Sequence, residues 1–366
     1  MPMANIFNLQ GEFETMNKAR YTQDVPEDRI KLLESIASYN KPFTLMVVGG
    51  VDSGKSTLIT FLGNELLSLG FKVAVVDSDV GQKGVLPPGT ISLAIPEGPF
   101  ESMSELEGVA HYFVGTTAPS QFIGEMAVGV KRMVEIARNV ADVVLIDTTG
   151  FVTGVGAEMK RLKAELVKPD IIAVIHSGEL SGLVKALEPY GGVIELAVSE
   201  TVKRYPLEER RNLRAEKWRN YFRDSQLVEF SASEVAITGT SLFHGIPLNA
   251  DENELLEKAF GWLVVAGWKN KGYTVVKADV EKFPRAHSRE LKAIDFEKLS
   301  NLLVGLIDGE GLCMGVGVLK WINFSEGRLQ ILTPVRDLSG VREIRFGRIR
   351  VTEEGEELGL LRRDEL

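Results

Sequence analysis

The chain has 366 residues, with 42 Lys+Arg against 51 Asp+Glu and a formal charge of −9 at neutral pH. Its 44% hydrophobic and 25% charged residues exclude wholesale disorder, and its length allows two domains at roughly 100–200 residues each. One cysteine and four scattered histidines exclude a disulfide framework and a multi-cysteine zinc site, and the acidic balance argues against coating nucleic acid through bulk charge.

The opening residues, MPMANIFNLQGEFETM, have no basic region followed by an apolar run, so no signal peptide is expected. No stretch approaches the roughly 18–20 apolar residues of a membrane span, and a cytoplasmic protein with no membrane partner is expected. A helix is predicted after Pro26, where Ile30, Leu33 and Ile36 recur at helical spacing. Residues 43–48 (FTLMVV) read as a buried strand. Residues 55–69 read as a helix with Leu58, Leu62, Leu66 and Leu69 on one face and Gly70 as its cap. Apolar, β-branched runs at 72–76, 143–146, 171–175 and 193–198 follow, with helical patterns at 121–139, 156–168 and 179–189 between them. This alternation predicts an α/β fold whose mainly parallel sheet is flanked by helices.

Beyond residue 250 the texture changes. A helical segment at 253–262 leads into strand-like runs at 274–280, 315–324, 328–333 and 341–351, separated by turn signals such as Ser325-Glu326-Gly327. A small, mainly antiparallel β domain is expected there. Residues 353–366 are acidic and read as a solvated tail or short terminal element. The last four residues, Arg363-Asp364-Glu365-Leu366, resemble an ER-retrieval signal, which without a signal peptide reads as chance.

Gly49-Gly50-Val51-Asp52-Ser53-Gly54-Lys55-Ser56-Thr57 fits G-x-x-x-x-G-K-S/T, directly after an apolar strand and at the start of an amphipathic helix. The glycines let backbone N–H groups curl around phosphate oxygens, and the helix N-terminus adds positive potential. Lys55 is expected on the β- and γ-phosphates and Ser56 on a divalent cation. No Asn-Lys-x-Asp element follows a later strand, and Val48 rather than lysine precedes Gly49, so ATP is the expected nucleotide.

Two strands end in carboxylates: Asp77-Ser78-Asp79-Val80-Gly81-Gln82 and Asp147-Thr148-Thr149-Gly150. In a doubly wound sheet all three aspartates lie near bound phosphate, and each is equally open to a cap or turn role. A third feature is the segment 203–223, which holds Lys203, Arg204, Arg210, Arg211, Arg214, Lys217, Arg219 and Arg223. Eight basic against three acidic residues give a net +5. Arg210 and Arg214 share a helical face, with Leu213 and Trp218 as apolar anchors. Arg342, Arg345, Arg348 and Arg350 form a second basic run, read as an exposed sheet face that contacts RNA backbone only as the lesser alternative.

Asp79-Val80-Gly81-Gln82 followed by Pro88-Gly89-Thr90 resembles the D-x-G-Q…P-G-T stretch of the polynucleotide 5′-hydroxyl kinases, which include the RNA kinase of pre-mRNA cleavage and tRNA splicing. The chain looks like the short archaeal form, and the resemblance extends through Thr116-Thr117-Ala118-Pro119-Ser120-Gln121 and 147–154. The resemblance implies that Asp79 activates the substrate hydroxyl and helps Ser56 hold the metal, with Gln82 beside it. It implies that Thr117 and Gln121 clasp the transferred phosphate, and that Phe151 falls where relatives carry a Trp that stacks on a substrate base. The basic helix matches the family's arginine-bearing lid, with Arg210 and Arg214 expected at the γ-phosphate and Arg211 next. Three parts are expected: a helical extension over 1–40 packed on the core, a P-loop kinase domain over 41–250 with its lid at 200–224, and a mainly β domain over 251–366.

The expected activity is transfer of phosphate from ATP, with Mg²⁺ or another divalent cation such as Mn²⁺, to the 5′-hydroxyl of RNA and of DNA as well. Residues alone reach a P-loop phosphotransferase or ATPase; the polynucleotide acceptor comes from the resemblance. Two rivals stay open: an ATPase or GTPase switch using Asp147 to hold Mg²⁺, and a non-catalytic nucleotide-holding scaffold in an RNA-processing complex.

Overall fold

A continuous apolar run makes a strand that must be covered on both faces, as in β1 (Phe43–Gly49). All of its residues are buried; Phe43, Leu45 and Val47 enter one core, Met46 and Val48 the other. The computed structural model describes residues 25–202, 204–278 and 290–366. Residues 1–24 of the expected extension, Lys203 of the basic run and the end of the run expected at 274–280 lie outside the described residues.

The predicted helix after Pro26 is α1 (Glu27–Ala37), which packs Leu32, Leu33 and Ile36 beneath β1. The chain continues through α2 (Lys55–Ser68), β2 (Val73–Ser78), β3 (Thr90–Ala94), β4 (Gly108–Phe113), α3 (Ile123–Arg138), β5 (Val143–Thr148), α4 (Val155–Val167), β6 (Ile171–Ile175), α5 (Ser181–Leu187) and β7 (Gly192–Leu196). The sheet order is β4-β3-β2-β5-β1-β6-β7. From β2 to β7 the pairings are parallel, as expected. β3 and β4 extend the sheet as an antiparallel edge that the alternation of strand and helix patterns did not announce. The helices lie in two layers, α1 and α2 against one face and α3 to α5 against the other.

After α6 (Leu207–Phe222), the helix of the first basic run, come β8 (Gln226–Ser231), β9 (Ala236–Thr238), β10 (Ile246–Pro247), α7 (Ala250–Phe260), β11 (Leu263–Lys269), β12 (Tyr273–Ala278), β13 (Leu291–Asp295), β14 (Leu302–Ile307), β15 (Cys313–Asn323), β16 (Arg328–Thr333), β17 (Glu343–Val351) and β18 (Glu357–Leu360). A second sheet runs β18-β17-β14-β15-β16-β8, with β9 beside β17, and a small third sheet holds β10 to β13. β8 pairs with β16, so the second sheet draws its edge from a segment expected to belong to the P-loop domain. The C-terminal segment also differs from a solvated tail. Its β18 pairs with β17, and Leu361 and Leu366 are buried, which leaves Leu366 only 2% exposed. No helix among the described residues is long and apolar enough to cross a membrane.

The two large sheets meet at a glycine seam. The Arg348 amide donates to the Gly115 carbonyl at 2.7 Å. A Cβ on Gly347 would lie 2.6 Å from that same oxygen and 2.8 Å from the carbonyl of Leu303.

Candidate active site

The phosphate loop turns on residues suited to left-handed backbone: Gly54 has φ +90° and Asp52 has φ 54°. Lys55, 7% exposed, begins α2 and donates to the Gly50 carbonyl at 2.6 Å. Ser53 Oγ is buried beside Gly49 without a hydrogen-bond partner.

Ser56 Oγ donates to Asp147 Oδ2 at 2.6 Å. Asp147 ends β5 in register with Asp77 at the end of β2. Burial pushes its pKa up to about 7, and the neighbouring Asp77 charge adds to the shift. A desolvated carboxylate sharing a hydroxyl at the mouth of the phosphate loop suits Mg²⁺, which takes one or two carboxylates together with substrate phosphates. Ser56 therefore meets Asp147, not Asp79.

The other two aspartates divide their work. Asp77 is a turn former: Oδ1 accepts from the Asp79 amide, and Oδ2 accepts from the Gly84 and Val85 amides and pairs with Lys83 at 3.2 Å. Asp79 is half-buried, and its Oδ1 accepts from the amides of Gly81 and Gln82 at 2.9 and 2.8 Å. That turn fixes the carboxylate while Oδ2 accepts no hydrogen bond among the described residues. The backbone of Thr117 borders the same turn: a Cβ on Gly81 would lie 3.2 Å from the Thr117 carbonyl.

Helix α6 crosses the site with several basic side chains, and they do not act alike. Arg210 Nη2 donates to Asp52 Oδ2 of the phosphate loop at 2.5 Å, and the Tyr205 amide shares that oxygen. The Nε of Arg210 is buried and unpartnered. Arg214, expected on the phosphate, instead forks onto Glu357 of β18 at 3.1 and 3.2 Å, where Trp218 Nε1 also donates. Arg211 is exposed.

Two further candidate residues have neighbours of their own. Gln121 is exposed and bound by Arg363 of the C-terminal segment, which donates to its side chain and its carbonyl. Phe151 is half-buried against the core, its ring against Gly156 at the start of α4. The basic run on β17 is only in part an exposed face: Arg342 is exposed, Arg345 and Arg350 are half-buried, and Arg348 is buried. Arg348 is 7% exposed and donates to the carbonyls of Gly239 and Gly347, Arg345 pairs with Glu343, and Arg350 donates to the Ser300 carbonyl.

Comparison with known proteins meets this geometry. Residues 49–224 match the family described as the mRNA cleavage and polyadenylation factor CLP1 P-loop. The polyribonucleotide 5′-hydroxyl-kinase of Pyrococcus furiosus is 54% identical, over 96% of this chain and 99% of that protein. Those of Pyrococcus horikoshii and Methanocaldococcus jannaschii are 52% and 49% identical, over 96% of this chain in each case and 97% and 99% of those proteins. The chain belongs to this kinase family. A solved Clp1p–Pcf11p complex shares the fold, with a TM-score of 0.59 at 14% identity over 88% of this chain and 77% of that one.

In this polyribonucleotide 5′-hydroxyl-kinase relative, a set of buried lysines surrounds the three aspartates, and the motif search did not find them. Lys160 and Lys163 of α4 are fully buried. Lys160 Nζ donates to the carbonyl and hydroxyl of Thr149, both at 2.7 Å, fixing the segment after Asp147. Lys163 Nζ donates to Ser78 Oγ at 3.1 Å, and Ser78 in turn donates to the Asp147 carbonyl, so it ties the ends of β2 and β5. Burial lowers both lysines, Lys163 to about 7. A sequence signal existed: both lysines sit on the stripe that carries the buried residues Gly156, Ala164 and Val167.

Proposed function

We propose that the protein transfers the γ-phosphate of ATP to the 5′-hydroxyl of RNA, and of DNA as well. The observation that carries this reading is the division between two neighbouring carboxylates. Asp147 is committed to Ser56 at the phosphate loop, while Asp79 is held by a turn with one oxygen open. A hydrolytic switch needs the first; a kinase with an alcohol acceptor also needs the second.

In this reading ATP lies on 49–57, with Lys55 leaving the Gly50 carbonyl for the phosphates. Ser56 and Asp147 would hold Mg²⁺ or Mn²⁺, which would supply charge neutralisation to the transferring phosphates. Ser56 with Asp147 replaces the metal pair expected from the sequence, Ser56 with Asp79. Asp79 Oδ2 accepts the proton of the attacking hydroxyl, the Gln82 and Thr117 segments border the acceptor, and Phe151 offers a ring edge to its base. Arg210, already at the loop, stabilises the transferring phosphoryl. Arg211, Arg214 and Gln121 have no direct part in this reading.

Labelled ATP and a 5′-hydroxyl oligoribonucleotide test the proposal. Label on the RNA, lost in Lys55→Ala, is the expected result. Label released only as free phosphate points to a hydrolytic switch, and no turnover points to a scaffold.

A further inference from the structure

We propose that Lys217 binds the phosphodiester that follows the 5′-terminal nucleoside of the RNA substrate. The assignment rests on the kinase reading of the site and adds to it the part of the acceptor that the lid helix recognises.

Arg210 and Lys217 are seven residues apart on α6, two turns and about 10 Å along its axis, so both project from one edge. Arg210 stands at the phosphate loop, on the ATP side. Lys217 Nζ donates to the carbonyl of Lys83, in the turn that follows Asp79, and feels the charges of Asp77 and Asp79. One helix edge thus places a cation at each end of the path the phosphoryl group travels.

The cations around the Asp79 turn differ in how they are paired. Lys83 is committed to the carbonyl and carboxylate of Asp77 and is only 2% exposed. Lys163 is fully buried beneath the strand ends, and Arg214 is forked onto Glu357. Lys217 is half-buried, forms no ion pair with a carboxylate among the described residues, and is held by a neutral carbonyl. A carbonyl is readily exchanged for a phosphate oxygen by a compact ammonium with three donors.

The chemistry of the acceptor supplies the anion. A 5′-hydroxyl end brings no charge to the reacting atom; the first charge on the chain is the phosphodiester on the 3′ side of that nucleoside. The ATP phosphates are already answered by Lys55 and Arg210 at the opposite end of the edge. A cation on the acceptor side therefore meets that phosphodiester, which also separates a polynucleotide end from a free nucleoside.

The test uses two oligoribonucleotides of one sequence, whose first internucleotide linkage is either an ordinary phosphodiester or an uncharged methylphosphonate. With wild-type protein the neutral linkage is expected to lower kcat/KM by about tenfold or more, the range of a hydrogen bond to a charged group. Lys217→Met is expected to lose a similar factor on ordinary RNA, to be indifferent to the linkage, and to keep its KM for ATP. Lys217→Arg, which keeps the charge, is expected to remain sensitive to the linkage, and it carries the comparison if the methionine variant does not fold. Equal rates on both oligonucleotides with wild type, or an undiminished linkage penalty in Lys217→Met, would overturn the assignment. Absence of transfer to ordinary RNA by wild type would overturn the kinase reading itself, and this assignment with it.

Discussion

Arg210 of α6 and Asp52 of the phosphate loop form an ion pair at 2.5 Å, with both side chains mostly shielded from solvent. The guanidinium is therefore held over the loop by the protein's own carboxylate, with its Nε still unpartnered. In the proposed reading this donor is the one that meets the γ-phosphate on the loop. One turn further on, Arg214 spends its fork on Glu357. Two arginines on one face thus differ in partner, one paired to the phosphate loop and the other to β18.

Truncation of each should give opposite signatures. Arg210→Ala is expected to lower kcat by about 10²–10³-fold with little change in the KM for ATP, as for other donors that act on developing charge. Arg214→Ala is expected to cost about 1–3 kcal/mol of stability through its lost charged hydrogen bonds, with kcat within tenfold of wild type. Steady-state kinetics and thermal melts on the two variants decide it. A large kcat loss in Arg214→Ala at unchanged melting temperature would reverse the assignment.

The Ser56–Asp147 contact bears on metal dependence. Asp147→Asn keeps the shape of the side chain and removes the charge beside the phosphate loop. The concentration of Mg²⁺ giving half-maximal rate is expected to rise at least tenfold, with excess Mg²⁺ recovering part of kcat. A titration that superimposes on wild type would take Asp147 out of the metal site.

Asp79 calls for a comparison of two variants. Asp79→Asn retains an oxygen for the Gly81 and Gln82 amides, so the turn should persist while the base is lost. The expected fall in kcat is about 10²–10⁴-fold, the usual contribution of a positioned proton acceptor. Asp79→Ala should show the same fall plus a loss of stability from the emptied turn. Near-wild-type kcat in Asp79→Asn would move the base elsewhere.

Much of this was legible in the residues because it is local. The phosphate loop, the buried strands and the helices between them follow from spacing within 10 to 15 residues, and they appear where they were expected. What escaped depends on pairing across the chain. β8 joins β16 through contacts about 100 residues apart, which no local pattern encodes. Arg348 looks like one more exposed charge in an alternating strand, yet the carbonyls of Gly239 and Gly347 hold it inside. The same holds for Arg214, whose partner Glu357 lies 143 residues away. The lysines of α4 are the reverse case, since their place on the apolar stripe was visible and only its meaning was not.

His111 offers a test of stability against pH that is independent of activity. It lies on β4 opposite Ser92 of β3, with Nδ1 and Ser92 Oγ 2.9 Å apart. Burial, with some repulsion from Lys83, lowers its pKa to about 4 from the ordinary 6.5. The folded state therefore favours the neutral ring, and the unfolded chain binds the extra proton between these values. Stability is fully present above pH 6.5 and falls as pH drops toward 4, with about 1–2 kcal/mol lost by pH 5. Denaturant unfolding of wild type and His111→Gln at pH 7.5 and 5.0 measures it. The variant should lose less stability than wild type between the two pH values; equal losses would assign the pH dependence to other groups.

The seam between the two large sheets makes the strongest prediction about packing. Gly347 and Gly115 approach so closely that a Cβ on Gly347 would press on the Gly115 oxygen, the Leu303 oxygen and the Gly115 Cα, at 2.6, 2.8 and 2.9 Å. All three are backbone atoms, so no side chain can swing aside, and relief requires β17 to move away from the Gly115 segment and from its own sheet neighbour β14. Gly347→Ala is expected to cost about 3 kcal/mol, toward the upper end for overpacking. Because Glu357, which anchors Arg214, lies on β18 beside β17, the same shift should slacken the lid and reduce kcat. Gly124→Ala provides the control: it lies in the first turn of α3, where an added Cβ meets nothing within 4 Å. That variant is expected to be neutral, or stabilised by up to about 0.5 kcal/mol through lower chain entropy. Matching unfolding midpoints for the two alanine variants would show that the seam yields more easily than its backbone contacts imply.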